Sequence, residues 1–122
     1  MSESVSLPTR TAKVARWSDL VDRQPAYALV GEVDLVVVRW DAQVSVLYGR
    51  CLHRGALLSD GRVEGRNLVC GLHDWDYRLD TGVSAYSNHE VLHRFAAHVD
   101  PEADAVLVDL DALEQWAQAH PQ

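Results

Sequence analysis

Two short segments, each with one cysteine and one histidine, constrain this chain more than any other feature. The first contains Cys51-x-His53 and the second contains Cys70-x-x-His73, and sixteen residues separate His53 from Cys70. The chain has no other cysteine. If these four side chains bind one metal centre, the two segments must lie together in the fold and hold that centre from two sides.

The mixed composition of each segment favours a centre that contains two chemically different irons. A two-iron, two-sulfide cluster has this form when thiolates bind one iron and imidazoles bind the other. We therefore predict that Cys51 and Cys70 bind one iron and that His53 and His73 bind the second. Neutral imidazole disfavours reduction less than anionic thiolate does, so the reduction potential is expected at roughly −150 to +300 mV. These residues predict a one-electron carrier.

Zinc is the main alternative for these four residues. Two cysteines and two histidines also complete a tetrahedral structural zinc site. Zinc fingers usually combine a Cys-Cys half with a His-His half, whereas both halves are mixed here. A zinc-stabilised interaction module without a redox role, and four unrelated residues without a metal, remain open at this point.

Composition and charge limit the class of partner and the compartment. The 122 residues suffice for one domain with a single compact core. A formal net charge of −7 argues against nucleic acid and gives no attraction to anionic lipid, and it suits a basic patch on a redox partner. The N-terminal residues lack a secretory apolar segment, and we see no apolar run long enough to span a membrane. With both cysteines used as ligands, a cytoplasmic location is expected.

Short apolar runs between closely spaced turn signals predict a mainly β domain. We expect residues 1–10 to form a flexible tail and residues 11–122 to form one domain that ends in a helix over 111–119. Asp111 and Glu114 are expected to form a capping box at the start of that helix. The predicted strands are 12–16, 26–30, 33–40, 44–48, 67–69, 75–78, 95–99 and 105–109.

The two motifs together resemble the Rieske [2Fe-2S] domain. They read Cys-x-His-Arg-Gly-Ala-x-Leu and Cys-x-x-His-x-Trp-x-Tyr in this sequence. The resemblance implies an antiparallel β sandwich or barrel with the cluster loops at one tip and the histidine ligands facing the partner protein. It also implies a flavoprotein or other reductase as electron donor and a terminal oxidoreductase as acceptor, with no catalytic pocket in the chain itself.

Two subfamilies are similar in the motif regions. The strings His-Arg-Gly and His-x-Trp-x-Tyr resemble ring-hydroxylating oxygenases, and the segment after Cys70 also resembles the Rieske domain associated with glutamate-synthase-like flavoproteins. The respiratory type, which carries an extra cysteine in each loop, is disfavoured. An accessory subunit permanently bound to a larger oxygenase or flavoenzyme is therefore an alternative to a free carrier.

Residues that flank the ligands are expected to tune the centre. Gly55 and Gly71 either let the backbone approach a sulfide closely or simply permit turns. Arg54 either offsets acidity near the cluster or is an ordinary surface charge.

Three further residues follow the second histidine. Asp74, where many family members have glycine, is expected to lower the reduction potential if it is ionised. Trp75 is expected to shield the centre from water, and Tyr77 either donates to a cysteine sulfur or fills the core. Together they predict a low-to-middle potential within the family range.

A second motif, His89-Glu90-Val91-Leu92-His93, matches the zinc-hydrolase pattern His-Glu-x-x-His. That chemistry requires both imidazoles on one face of a helix. The motif lies between a turn and an apparent strand, so we predict a polar surface connection instead. Two other histidines, His98 and His120, are expected to face solvent.

Overall fold

Antiparallel strands are the main secondary structure of the computed structural model, which describes residues 10–52, 55–71, 75–84 and 90–120. Within these residues the chain forms ten strands and one α-helix, α1, at Leu110–Ala119. The strands are β1 (Thr11–Arg16), β2 (Ala26–Val30), β3 (Val33–Trp40), β4 (Gln43–Tyr48), β5 (Arg62–Glu64), β6 (Asn67–Val69), β7 (Asp76–Arg78), β8 (Arg94–Phe95), β9 (Ala97–Asp100) and β10 (Ala105–Asp109). The predicted mainly β fold with a short C-terminal helix is confirmed.

The strands form three sheets in the described part of the chain. Their orders are β1-β10-β9, β2-β3-β4-β8 and β5-β6-β7. The hairpin between β3 and β4 turns at Asp41 and Ala42, whose φ angles of 50° and 61° are those of a two-residue turn that matches strand twist. Its register pairs Trp40 with Gln43 and Leu35 with Tyr48, so β4 ends beside the start of β3.

Strand β3 separates two buried cores, although the sequence predicted a single compact core. Side chains alternate across a strand. Leu35 and Val37 therefore pack on one side, against β10 and α1, and we call this the helix-side core. The other face of β3 belongs to a second group, the loop-side core, whose buried members are Val36, Val38, Trp40, Leu47, Cys51, Leu58, Leu68, Cys70, Tyr77, Leu79 and Leu92. The sequence did not reveal this division because both faces of β3 are apolar.

The C-terminal helix begins one residue earlier than predicted and is capped differently. The side chain of Asp109 accepts a hydrogen bond from the Ala112 N–H at 3.1 Å, so Asp109 is the N-cap. The predicted capping box of Asp111 and Glu114 is wrong because both carboxylates bind Arg10, at 2.7 and 3.1 Å. One face of the helix packs on the helix-side core through its apolar residues Leu113, Trp116 and Ala117.

Two other local predictions need correction. The predicted strand 95–99 is divided, because Phe95 ends β8 and pairs with β4, whereas β9 pairs with β10. Ser18, whose residue type also predicts the cap of a turn through 19–21, does not cap the 3₁₀ turn observed at Trp17–Asp19, because its backbone and hydroxyl groups both donate to Asp104. In the described residues, we find no helix with both the length and the apolar character required to cross a membrane. The tail predicted at 1–10 lies almost entirely outside the described residues, and the domain boundary stays a prediction.

Candidate metal centre

Both cysteines lie in the loop-side core, directly after strands of two different hairpins. Cys51 follows the end of β4 by three residues, and Cys70 follows β6 immediately. Their exposed fractions are 2% and 0%, which is the burial that protects an iron–sulfur ligand from solvent. Two segments that are separate in sequence therefore contribute sulfur to the same apolar core.

The first segment is closed by its own backbone hydrogen bonds. The Cys51 N–H donates to the Ala56 carbonyl, and the Gly55 N–H donates to the Cys51 carbonyl, both at 2.9 Å. Gly55 has a φ of +69°, which favours glycine over any residue with a Cβ atom. The turn interpretation of Gly55 is therefore confirmed, and its approach to a sulfide stays a prediction.

The second segment is closed in the same way, at the tip of the β6–β7 hairpin. The Cys70 N–H donates to the Trp75 carbonyl at 2.7 Å, one step beyond the pair Val69–Asp76. Gly71 lies against the 3₁₀ turn at Leu58–Asp60, which directly follows the first segment. A Cβ atom at Gly71 would be 3.3 Å from the Asp60 carbonyl oxygen. The fold thus brings the two predicted ligand segments next to each other.

Tyr77 contacts the first cysteine from within the core. Its ring is fully buried, and its Oη lies 3.6 Å from Cys51 Sγ. The same oxygen accepts a hydrogen bond from the Leu52 N–H at 3.1 Å, which leaves the phenol hydrogen available to the sulfur. Burial raises the pKa of Tyr77, so the phenol remains a donor across the ordinary pH range. The ring of Tyr77 therefore fills the core, which is one of the two interpretations that the sequence left open, and its donation to the cysteine sulfur stays a prediction.

The remaining predicted site residues divide into described and undescribed positions. Trp75 is half-buried and packs against the loop-side core. The predictions for His53, Arg54, His73 and Asp74 lie outside the described residues and stay predictions.

A cleft opens where the two segments meet. It has a volume of about 330 Å³ and is lined by Ala56, Leu57, Asp60 and Gly71. Sequence reasoning missed this cleft because its lining comes from both segments. It also missed Asp34 and Arg50, whose side chains contact each other at 2.6 Å beside the first segment. The available signals were a carboxylate within an apolar strand and an arginine next to Cys51.

The described part of the His-Glu-x-x-His motif is not helical. Val91 pairs with Val83 in an antiparallel bridge, and the Glu90 carbonyl accepts from the Ser84 N–H at 2.9 Å. His93 packs on Phe95 and Trp116 instead of facing a metal-binding cleft. His98 is exposed, as expected, whereas His120 is exposed but stacks on Trp116 at 4.4 Å.

The donor set of the described residues fits an iron–sulfur centre. Two buried cysteines in neighbouring loops, with a phenol near one sulfur, are of the kind that would provide thiolate ligands and a hydrogen-bond donor to such a centre. The fold and this site therefore define a small antiparallel β protein with two buried cysteines in neighbouring hairpin loops. Residues 10–96 match the family model of the Rieske [2Fe-2S] domain.

The chain belongs to the Rieske [2Fe-2S] domain family, and its cofactor is a [2Fe-2S] cluster. This assignment gives no support to the zinc-stabilised module.

Tyr77→Phe is expected to lower the reduction potential, because the phenol hydrogen stabilises the more negative, reduced centre. A hydrogen bond of about 1 kcal/mol corresponds to ~40 mV for one electron. Protein-film voltammetry measures this change, with Tyr48→Phe as the control. An equal shift in both variants would contradict the role of Tyr77.

Similar proteins include a much longer enzyme subunit and chains of this size. The α subunit of phenoxybenzoate dioxygenase from Ectopseudomonas oleovorans is 40% identical over 68 residues, which are 55% of this chain and 16% of that protein. The match therefore spans about one sixth of the length of that relative. A ferredoxin of Sphingomonas yanoikuyae B1 has the same fold, with a TM-score of 0.74 and 20% identity over 82% of this chain and 98% of that chain.

A second solved structure extends this similarity. It is the complex of reduced oxygenase and oxidized ferredoxin in carbazole 1,9a-dioxygenase, and one of its chains is 28% identical to this chain. The match has a TM-score of 0.71 and covers 81% of this chain and 92% of that chain. The fold is therefore found in chains of nearly this length.

Proposed function

We propose that this protein carries single electrons from a reductase to a terminal oxygenase and does no substrate chemistry itself. Cys51 and Cys70 hold one iron, and His53 and His73 hold the other. When bound, the cluster supplies reversible one-electron chemistry. The observation that carries the proposal is the contrast between Cys51, which is 2% exposed, and the next residue, Leu52, which is 46% exposed.

This contrast suits a carrier because the ligand is protected while its neighbour is available to a partner. Leu52 donates its backbone N–H to Tyr77, so the exposed side chain belongs to a fixed part of the segment. An exposed apolar side chain on a fixed backbone is a common contact residue in transient interfaces. The net charge of −7 adds long-range attraction to a basic surface on the partner.

The class of acceptor is suggested by the similar proteins. One relative is a dioxygenase α subunit, and one similar structure contains an oxygenase together with a ferredoxin. We therefore propose a ring-hydroxylating oxygenase as the acceptor. A flavoprotein reductase is the proposed donor.

Leu52→Asp is expected to slow electron transfer to such an oxygenase by about tenfold, because losing a central apolar contact costs about 1–2 kcal/mol. The reduced protein is mixed anaerobically with purified oxidized oxygenases of this class, and bleaching of the acceptor is followed by stopped-flow absorbance. Wild-type protein is expected to reduce at least one of them rapidly.

Val21→Asp is the matched control, because Val21 is 56% exposed and its neighbour Leu20 packs in the helix-side core rather than in the loop-side core. It adds the same charge and is expected to leave the rate unchanged. Failure of the reduced, cluster-containing protein to reduce any of the oxygenases contradicts the carrier function. Equal slowing in both variants contradicts the role of Leu52.

A permanently bound accessory subunit remains the second candidate, because the similar part of the dioxygenase α subunit is a small portion of a larger enzyme. Size-exclusion chromatography of native cell extract distinguishes the two. A free carrier elutes near the 13.6 kDa of this chain, whereas a bound subunit elutes with a larger enzyme.

A further inference from the structure

A carboxylate on strand β3 is connected to the first ligand segment. Asp34 adjoins the apolar run of β3, and its side chain is only 15% exposed. One carboxylate oxygen accepts from the Tyr27 hydroxyl and the other from Arg50 Nε, both at 2.6 Å. Both oxygens therefore have partners, and the carboxylate is fixed in orientation.

A close backbone approach brings Arg50 to this carboxylate. The Gly49 N–H donates to the Asp34 carbonyl at 2.8 Å, and a Cβ atom at Gly49 would lie 2.8 Å from backbone atoms of Asp34 and Leu35. Such a distance excludes a side chain, so glycine at this position lets the end of β4 pass against β3. The next residue, Arg50, then lies beside Asp34.

Arg50 also binds the ligand segment itself. Its Nη1 donates to the Gly55 carbonyl at 2.7 Å, and the Gly55 N–H donates to the Cys51 carbonyl. One guanidinium therefore joins β3 to the turn that follows the first ligand. We propose that Arg50, oriented by Asp34, is a positioning residue that holds the backbone contact between Cys51 and Gly55 in the conformation required for cluster binding. This inference rests on the proposed role of Cys51 as a ligand.

The charges of the three groups support this arrangement. Hydrogen bonds from Tyr27 and Arg50 hold the pKa of Asp34 below its ordinary value, so the carboxylate is ionised at neutral pH. Arginine is suited to the position because its planar fork reaches two acceptors in fixed directions, whereas a lysine ammonium is a point charge. Charge alone therefore does not replace the arginine.

An ordinary ion pair at the surface would have a different signature. Such pairs contribute little to stability and do not affect a metal centre. Outer residues that orient metal ligands, in contrast, typically change metal affinity about 10–100-fold when they are replaced. Cluster retention and spectroscopy therefore distinguish positioning from a general stabilising effect.

Arg50→Lys and Asp34→Asn are the test variants, since each keeps the size of the site and Arg50→Lys also keeps the charge. The holoprotein is reduced with dithionite, and iron release to a ferrous chelator is followed by absorbance. Both variants are expected to release iron about tenfold faster than wild type. They are also expected to broaden or shift the EPR signal of the reduced cluster.

Arg10→Lys is the matched control, because Arg10 also pairs with two carboxylates but does so on α1. It is expected to leave release and EPR unchanged. The inference is overturned if Arg50→Lys releases iron at the wild-type rate with the wild-type EPR signal. It is also overturned if Arg10→Lys accelerates iron release equally. Because these measurements use the isolated holoprotein, a negative result would contradict only the positioning role of Arg50 and not electron transfer to an oxygenase. Failure of that electron transfer, in turn, would not contradict the positioning role.

Discussion

Cys51→Ser and Cys70→Ser are each expected to abolish cluster binding. Serine provides a harder, protonated oxygen in place of a soft thiolate, and thiolates are the ligands that iron–sulfur clusters prefer. The replacement also buries a hydroxyl group in the loop-side core, where both cysteines are at most 2% exposed. Iron and acid-labile sulfide, each about two per chain in the wild type, are expected to fall close to zero.

Colorimetric iron and sulfide analysis of protein purified anaerobically measures this loss. Ala56→Ser is the control, because it places a hydroxyl group in the same segment at a half-buried position that is not a proposed ligand. It is expected to keep the brown colour. A Cys70→Ser protein with full iron content would show that this cysteine is not a ligand.

The histidine half of the ligand set needs a spectroscopic test of its own. His53→Ala or His53→Cys is expected to abolish or change the EPR signal that is characteristic of iron bound by two imidazoles. The same result is expected for His73. An unchanged spectrum of the dithionite-reduced protein would contradict the assignment of these histidines as ligands.

Gly82→Ala is expected to lower the free energy of unfolding by about 3–5 kcal/mol, a large part of a typical domain's stability. Gly82 has a φ of +81°, and a Cβ atom there would lie 1.9 Å from the Leu92 carbonyl oxygen. The Leu92 N–H donates to the Gly82 carbonyl at 2.8 Å, so the two backbones must separate to admit a methyl group. Leu92 is fully buried in the loop-side core, and the change therefore disturbs the packing around the centre.

Gly65→Ala isolates the clash from the backbone strain. Gly65 has a φ of +63°, but no atom lies within 4 Å of the position of its Cβ. This variant is expected to lose about 1–2 kcal/mol from the left-handed conformation alone. Urea unfolding followed by circular dichroism compares the two. Equal losses would contradict a steric requirement for glycine at position 82.

Local sequence patterns predicted most strands of this fold. Strands β2 and β3 occur at the predicted residues, because short runs of apolar residues with aromatic or β-branched members, bounded by turn residues, favour extended structure. The prediction failed at Phe95, where the chain moves from one sheet to another within two residues. It also failed at Asp111 and Glu114, because their partner, Arg10, is about a hundred residues away in sequence.

The candidate site, too, was predictable only in its local features. The sequence predicted Cys51 and Cys70 as ligands, because the spacing of ligand types is a property of the chain itself, and the structure places both cysteines in the loop-side core. It did not identify the Arg50–Asp34 contact, since this depends on the close backbone approach of Gly49, just after β4, to Asp34 on β3. A carboxylate on one strand and a guanidinium just beyond the next have no fixed relation until the register of the sheet is known.

The sequence by itself determined the family, the cofactor and the β-rich character of the protein, because ligand chemistry and strand preference are encoded over a few adjacent residues. Only the tertiary structure decided which contacts the residues around Cys51 make: the phenol of Tyr77 near its sulfur, Asp34 on the guanidinium of Arg50, and Gly71 beside the Asp60 carbonyl. The physical reason is that these contacts arise between chain segments brought together by burial of the apolar faces of the sheets.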